Sequence, residues 1–391
     1  HYAEAERQGL ALDVSIFIGG PPSLIVAAIA PLPENVPELL IASLLSNSKI
    51  EVEKRDDFSH PLISSCEFAL QGKCHPFVRK LEGPFGDHYG YYSLAHEFPV
   101  FECSNVYHRK DAIFPATVVG KPPQEDLYIG NYLQKLFSPL FPIVMPQVRD
   151  LHTFSEAGFH CLAAAKILER FEKESLTAAF RILGEGQLSL TKVLFITDHD
   201  IDIRNAKELI EMTLATFRPE SDLKIFTKTA LDTLDYSGPK LNRGSKAVFF
   251  ATGKKKRDLP HFFKGNLPSC IKQALTFCPG CLVIDGLSYE KNQSLDFLLE
   301  NSDLQAFPLV ILTDDAKKTV ESQLEFLWTT FTRFDPASDI YAKKTVLGHH
   351  ISYSFPIIID ARMKPHYPKE LASTASIKEY VDKHWEEYFS N

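Results

Sequence analysis

The chain has 391 residues, 45% hydrophobic and 24% charged, with a formal net charge of −8. That composition suits a globular protein of two or three domains and excludes a disordered tail, a coiled coil or a disulfide miniprotein. An acidic balance gives no general nucleic-acid footprint.

Leu10 to Pro33 is the nearest approach to a membrane span, but Asp13 and Gly19-Gly20-Pro21-Pro22 interrupt it. The seven cysteines are scattered and fit a reducing cytoplasm better than a disulfide framework. The chain starts at His1 without a secretory pattern, so an N-terminal part is expected to be missing.

Val14, Ile16 and Ile18 alternate with Ser15 and Phe17, which predicts a buried strand. The Gly-Gly-Pro-Pro turn leads to a short helix of small residues, Ser23 to Ala30, ended by Pro31 and Pro33. Asn35-Val36-Pro37-Glu38 opens a second helix over Leu39 to Leu45. Residues 49–120 read as short strands between turns, including 50–53, 98–101 and 116–119, in a small irregular barrel or sandwich. A helix follows from Asp126 to Phe137.

Beyond residue 145 apolar strands alternate with longer helices, the mark of an α/β layer structure. Val193 to Ile196 is a strand, and Ala206 to Phe217 a helix. The segment KVLFITD (192–198) resembles PLVILTD (308–314), and FRPESDL (217–223) resembles FDPASDI (334–340). Two related α/β units in tandem are expected, the second with a helical stripe of Val320, Leu324, Leu327, Trp328 and Phe331. The run Lys254-Lys255-Lys256-Arg257 reads as a solvated loop between them.

Five constellations could carry chemistry. Glu82 and Asp87 flank a Gly-Pro-Phe-Gly turn in LEGPFGDHYGYY (81–92). Either they converge on one dry pocket, where burial raises a carboxyl pKa and creates a proton donor, or they are solvated acids of a glycine-rich hairpin. Glu38, with free carbonyls at the end of the preceding helix, is either a hard-cation site or a first-turn glutamate that complements the helix dipole. The acidic cluster at Asp198, Asp200 and Asp202 reads as capping and loop, because its repeat partner at 314–317 lacks the other ligands. Cys278-Pro279-Gly280-Cys281 has no second CxxC and precedes a strand, Leu282 to Ile284, so it reads as structural. The segment 237–246 places Lys240, Arg243 and Lys246 among turn residues, either an anion loop or an exposed basic one. P-loop, GxGxxG and GxSxG motifs are lacking.

Three stretches in order, FIGGPPSLIVAAIAPLPENVPE (17–38), LEGPFGDHYGYY (81–92) and LDYSGPKLNRGSK (234–246), resemble the UbiD family of aromatic-acid decarboxylases. The C-terminal part, with TRFDPASDIY and PIIIDARMKPH, resembles the longer menaquinone-biosynthesis branch of that family. The resemblance implies an α+β and α/β fold: a β-rich, split-barrel-like domain for prenylated FMN over 1–145, an α/β oligomerisation domain over 146–260 and a second α/β unit over 261–391. It implies a non-oxidative decarboxylase using prenylated FMN, a divalent metal, usually manganese, and potassium. Glu38 matches the metal-ligand glutamate, and Ala27, Ala28 and Ala30 match the potassium-side backbone. Asp87 matches the proton donor, Glu82 its paired carboxylate, and Lys246 a lysine near the cofactor. The family's Asn, Arg and metal-binding His lie upstream of the segment that begins this chain.

The implied substrate is a dihydroxynaphthoate of the futalosine route, or alternatively a polyprenyl-4-hydroxybenzoate of ubiquinone biosynthesis. A reading of another class is a non-catalytic truncated oligomerisation scaffold. The implied partners are a flavin prenyltransferase as cofactor supplier and other copies of the chain, with cytoplasmic location, at most peripheral membrane association and no nucleic acid.

Overall fold

The computed structural model describes residues 1–391 except Pro31, Pro33, Glu34, Asn35, Asp57, Ser390 and Asn391. The expected helix stop at Pro31 and Pro33, and the restart at Asn35, lie outside the described residues. The chain divides into two compact units: residues 1–85, 93–118 and 131–133, and residues 86–92, 119–130 and 134–391.

The first unit holds α1 (Tyr2–Arg7), β1 (Leu12–Ile18), α2 (Pro22–Ala28), α3 (Glu38–Ser46), β2 (Val52–Glu53), β3 (Leu62–Ile63), β4 (Phe68–Glu82) and β5 (His96–His108). Its main sheet has the order β1-β4-β5, antiparallel throughout, and β2 pairs with β3. β1 is half-buried rather than buried. Ile16 is exposed, and Phe17 instead packs on the small apolar cluster of Leu24, Ala27, Ala42 and Ile63. Residues 116–119 form no strand.

α4 (Glu125–Phe137) belongs to the second unit except for residues 131–133, and with α5 (Phe141–Val144) it leads into β6 (Val148–Thr153), β7 (Leu162–Ile167), α6 (Glu174–Leu183), β8 (Val193–Thr197), α7 (Ala206–Thr216), α8 (Pro219–Asp222), β9 (Leu223–Ala230) and β10 (Arg243–Ala251) of that unit. Then come β11 (Gln273–Cys278), β12 (Cys281–Asp285), α9 (Asp296–Leu299), β13 (Leu309–Leu312), α10 (Ala316–Val320), α11 (Gln323–Thr332), α12 (Pro336–Asp339), β14 (Ile340–Leu347), β15 (His350–Asp360), α13 (Ala375–Lys383) and α14 (Trp385–Phe389). The sheets run β6-β7-β8-β10-β9 and β11-β12-β13-β15-β14, the same order twice. In each, three central parallel strands lie between antiparallel edges. The central strands are apolar over their paired cores, such as residues 193–196, 247–251 and 309–312, because both faces are covered.

The repeated sequence corresponds to repeated hydrogen bonding. Asp198, after β8, accepts from Gly253 N at 3.1 Å, and Asp314, after β13, accepts from Met363 N at 2.8 Å. Each ties its strand end to the loop beyond the next parallel strand. In the PxxD turns, Asp222 accepts from Arg218 N at 3.0 Å and Asp339 from Asp335 N at 2.7 Å, closing α8 and α12. The expected single amphipathic helix over 320–331 is two. Asp315 caps α10 through Lys318 N, and Ser322 caps α11 through Glu325 N. Asn205, not one of the preceding aspartates, caps α7. Lys256 and Arg257 are not merely solvated: they donate to the carbonyls of Thr216, Leu214 and Phe217 at the end of α7.

One apolar cluster joins the two sheets, with Phe195 stacked on Phe249 at 4.9 Å and Phe277 on Phe326 at 3.6 Å. At its border His152 meets Phe154 edge-on at 4.7 Å. Burial, aided by the charge of Arg204, pushes the His152 imidazole down to about 4. The unfolded chain takes up this proton near 6.5 and the folded chain only near 4, so stability is complete above the first value and lost as pH falls toward the second. His152→Gln is expected to remove on the order of 1–2 kcal/mol of that acid-side loss, read from denaturant midpoints across the window. Wild-type and variant curves that stay parallel would count against it.

Candidate active site

Asp87 is held in a tight loop. Its N–H donates to Tyr91 O at 3.1 Å, Gly90 N–H donates to Asp87 O at 2.9 Å, and Gly86 bridges to Tyr92. Gly90 has φ +84, and a Cβ there would lie 2.8 Å from Lys121 Cα, so both conformation and space require glycine. Asp87 is only 3% exposed. Oδ1 lies 2.8 Å from His88 Nδ1 and accepts from Tyr89 N at 3.4 Å, while Oδ2 has no hydrogen-bond partner in the protein. A buried carboxylate oxygen with no partner is costly, so it marks a place where a proton or a ligand completes the pairing. Burial lowers the affinity of His88 for its proton, but the hydrogen bond and charge of Asp87, with Asp232 and Asp126 further contributing, raise the imidazole above its ordinary value. Asp126, on α4, is raised by burial, and both its oxygens are unpartnered.

A second buried polar group lies on the first α/β sheet. Lys192 Nζ pairs with Asp235 Oδ2 at 2.8 Å and donates to Ser237 Oγ at 3.0 Å. Asp235 also accepts from Ser237 N at 2.9 Å and Cys161 Sγ at 3.4 Å. Lys246, on β10, is 6% exposed and donates to Thr191 O at 2.7 Å. Burial, with the like charge of Lys192 and against the opposing charge of Asp235, lowers its pKa to about 8. His160, 3.8 Å from Asp232 Oδ2, is lowered by burial.

The residues singled out in the sequence fall in different surroundings. Glu82 ends β4 in the first unit and is exposed, whereas Asp87 is buried in the second, so the pair does not share one kind of environment. Glu38 opens α3 and is exposed. Ala27 is buried in α2, where its carbonyl accepts from Ala30 N at 3.2 Å; the Ala30 carbonyl accepts from Leu32 N at 2.8 Å; Ala28 is exposed. Among the described residues no three His, Cys, Asp or Glu side chains form a metal-holding group. Lys240 and Arg243 are exposed and Lys246 buried, so the three cations of 237–246 do not form one anion loop.

Cys278 and Cys281 pair across the β11–β12 turn, both buried as free thiols. Burial pushes the Cys281 thiol up, away from the reactive thiolate. His88 and Lys192 are the two residues that sequence patterns do not single out. His88 is legible only as the neighbour of Asp87, and Lys192 carries no signal, being a lysine at the head of an apolar strand.

The fold is mixed α+β with two repeated parallel-centred sheets, and it holds a buried aspartate with one unpartnered oxygen. Residues 1–122 match the 3-octaprenyl-4-hydroxybenzoate carboxy-lyase Rift-related domain, and residues 127–251 the C-terminal domain of the same family. The chain belongs to the UbiD family of carboxy-lyases. An uncharacterized protein of Chlamydia caviae is 51% identical over 390 residues, covering 100% of this chain and 67% of that protein. A Chlamydia pneumoniae protein, named as a component of a 4-hydroxybenzoate decarboxylase, is 50% identical over 392 residues, again covering 100% and 67%. The UbiD-class enzyme HmfF of Pelotomaculum thermopropionicum, solved in complex with FMN, has a TM-score of 0.53 and 26% identity over 64% of this chain and 56% of that one. Vanillic acid decarboxylase of Sedimentibacter hydroxybenzoicus shares the fold, with a TM-score of 0.59 at 22% identity, over 68% of this chain and 56% of that one. The chain thus spans about two thirds of the curated relatives and little more than half of the solved structures.

Proposed function

We propose that this chain is part of a prenylated-FMN-dependent, non-oxidative decarboxylase of an aromatic acid, with Asp87 as proton donor. The observation that carries the reading is the buried Asp87 carboxyl with one oxygen unpartnered. In the overall reaction the ring carbon–carboxylate bond breaks, CO₂ leaves, and a proton takes its place. The bound flavin supplies an electron sink for the charge left on the ring. Asp87 delivers the proton from a dry position, and His88 orients its carboxyl through Oδ1. After delivery the Asp87 carboxylate takes a proton back from solvent before the next turnover. The neighbouring His88, whose proton affinity burial lowers but the hydrogen bond and charge of Asp87 raise, stands beside it during that return.

Lys246 is assigned to the cofactor side. Its Nζ has donors left beyond the bond to Thr191 O, and its depressed pKa keeps part of the population neutral in mildly alkaline solution. Glu38, with Ala27, Ala28 and Ala30, is assigned to manganese and potassium; further ligands are required, and no step is routed through either ion. Glu82 is assigned as the acid's partner carboxylate. The division proposed is a flavin domain over 1–145 and α/β units over 146–260 and 261–391, the first of these mediating a homo-oligomer. No helix among the described residues is long and apolar enough to cross a membrane. A cytoplasmic location and a flavin prenyltransferase as cofactor supplier are part of the same proposal.

The substrate favoured is a dihydroxynaphthoate of the futalosine route to menaquinone. The name of the Chlamydia pneumoniae relative favours a second reading, a hydroxybenzoate. Full-length protein carrying flavin, offered both acids, is expected to release CO₂ from the naphthoate. Turnover of the hydroxybenzoate alone would replace the first reading by the second. A folded protein with no flavin absorbance and no turnover of either would point to a scaffold.

A further inference from the structure

The family's two domain models match residues 1–122 and 127–251 and end before the second α/β repeat. That repeat grips the Asp87 loop at several points. Trp328 Nε1, on α11, donates to Tyr89 O at 2.8 Å. The Trp328 ring stacks on Tyr91 at 5.1 Å and an interplanar angle of 10°. The Tyr91 hydroxyl lies 2.9 Å from Thr332 Oγ1 and accepts from Arg333 Nε at 3.1 Å. Arg333 is anchored in turn on Glu370 at 2.7 Å and Asp314 at 3.3 Å. Tyr92 N donates to Lys369 O, and Leu371 N to Gly90 O, both at 2.9 Å. Lys121 Nζ sits 4.0 Å from the Trp328 ring centre and pairs with Glu325. Tyr89, Tyr91 and Trp328 are each 1% exposed or less.

We propose that the second α/β repeat is a positioning clamp for the loop 86–92, with Trp328 and Arg333 as the positioning residues that set the geometry of the Asp87–His88 pair. A loop of seven residues with glycines at 86 and 90 would otherwise sample many conformations, and the backbone bond and ring stack remove that freedom. The consequence for turnover rests on the decarboxylase reading above; the clamp itself does not. The clamp explains why a strand-end helix in a repeat remote in sequence carries a fully buried Trp with its N–H spent on a loop carbonyl.

The test uses full-length, flavin-loaded protein with ¹³C-labelled histidine. Trp328→Phe keeps the stack and deletes the N–H; Arg333→Lys keeps the charge and loses the directed Nε bond. In each, amide exchange over 87–92 is expected to accelerate by about tenfold while β8 and β13 stay protected. The His88 titration midpoint is expected to move toward lower pH, because its bond to Asp87 loosens while Asp126, Asp232 and His160 remain in place. kcat is expected to fall by about tenfold with KM little changed. Unchanged loop exchange and an unchanged His88 midpoint in either folded variant overturn the clamp. Movement of both with full kcat removes its catalytic part. If Asp87→Asn retains turnover, the acid assignment fails, and exchange and the His88 midpoint still decide the clamp.

Discussion

Asp87→Asn in the full-length protein is expected to lower decarboxylation by roughly 10²–10⁴-fold, the range general acids contribute, while flavin absorbance is retained. The substitution is nearly isosteric and removes the transferable proton. Asp87 Oδ1 accepts from His88 Nδ1 and Tyr89 N, and an amide oxygen can accept both bonds, so the loop is expected to keep its fold. The His88 imidazole should then titrate lower, because the charge that opposes its burial penalty is gone. Turnover within about threefold of wild type, at the noise expected of a neutral surface change, would reject the assignment. Loss of flavin together with activity would instead make Asp87 a binding residue.

The largest expected effect on stability is at Lys192. Its ammonium is fully buried against Asp235, and Asp235 serves Ser237 and Cys161 as well. Lys192→Ala leaves a buried carboxylate facing a void and is expected to cost about 3–5 kcal/mol in unfolding free energy. Lys192→Met combined with Asp235→Asn removes both charges and is expected to recover much of that loss, since a buried pair is often matched by neutral groups of similar size. Chemical denaturation of the three proteins separates these outcomes. A loss under about 1 kcal/mol for Lys192→Ala would mean that solvent reaches Asp235. Removing Lys192 also removes a like charge from Lys246, so the Lys246 pKa should rise from about 8.

Sequence patterns were most legible where one local rule acted alone. The apolar runs of β8 and β13 and the Gly-rich loop around Asp87 follow from burial on both faces and from glycine's freedom at positive φ; the resemblance of 217–223 to 334–340 was legible, but not the capped turns it encodes. Where two local rules competed, periodicity misled. The stripe from Val320 to Phe331 reads as one helix, but the Ser322 hydroxyl captures Glu325 N–H and starts a new one. The alternation in β1 pointed to Val14, Ile16 and Ile18 as the core face, yet Ile16 is exposed and Phe17 packs on the cluster of Leu24, Ala27, Ala42 and Ile63, contributed by other elements of that unit.

The amino-acid order by itself determined the apolar strands β8 and β13, the duplication of the α/β unit, the placement of Asp87 in a tight glycine turn, and the family resemblance. Only the tertiary structure decided that Asp87 is dry while Glu82 and Glu38 are exposed, that Lys192 pairs with Asp235, and that Trp328 holds a loop more than two hundred residues away in the chain. Local conformation depends on neighbours within a few positions and is therefore written in spacing. Desolvation and charge pairing depend on which distant surfaces meet, and no spacing along the chain encodes that.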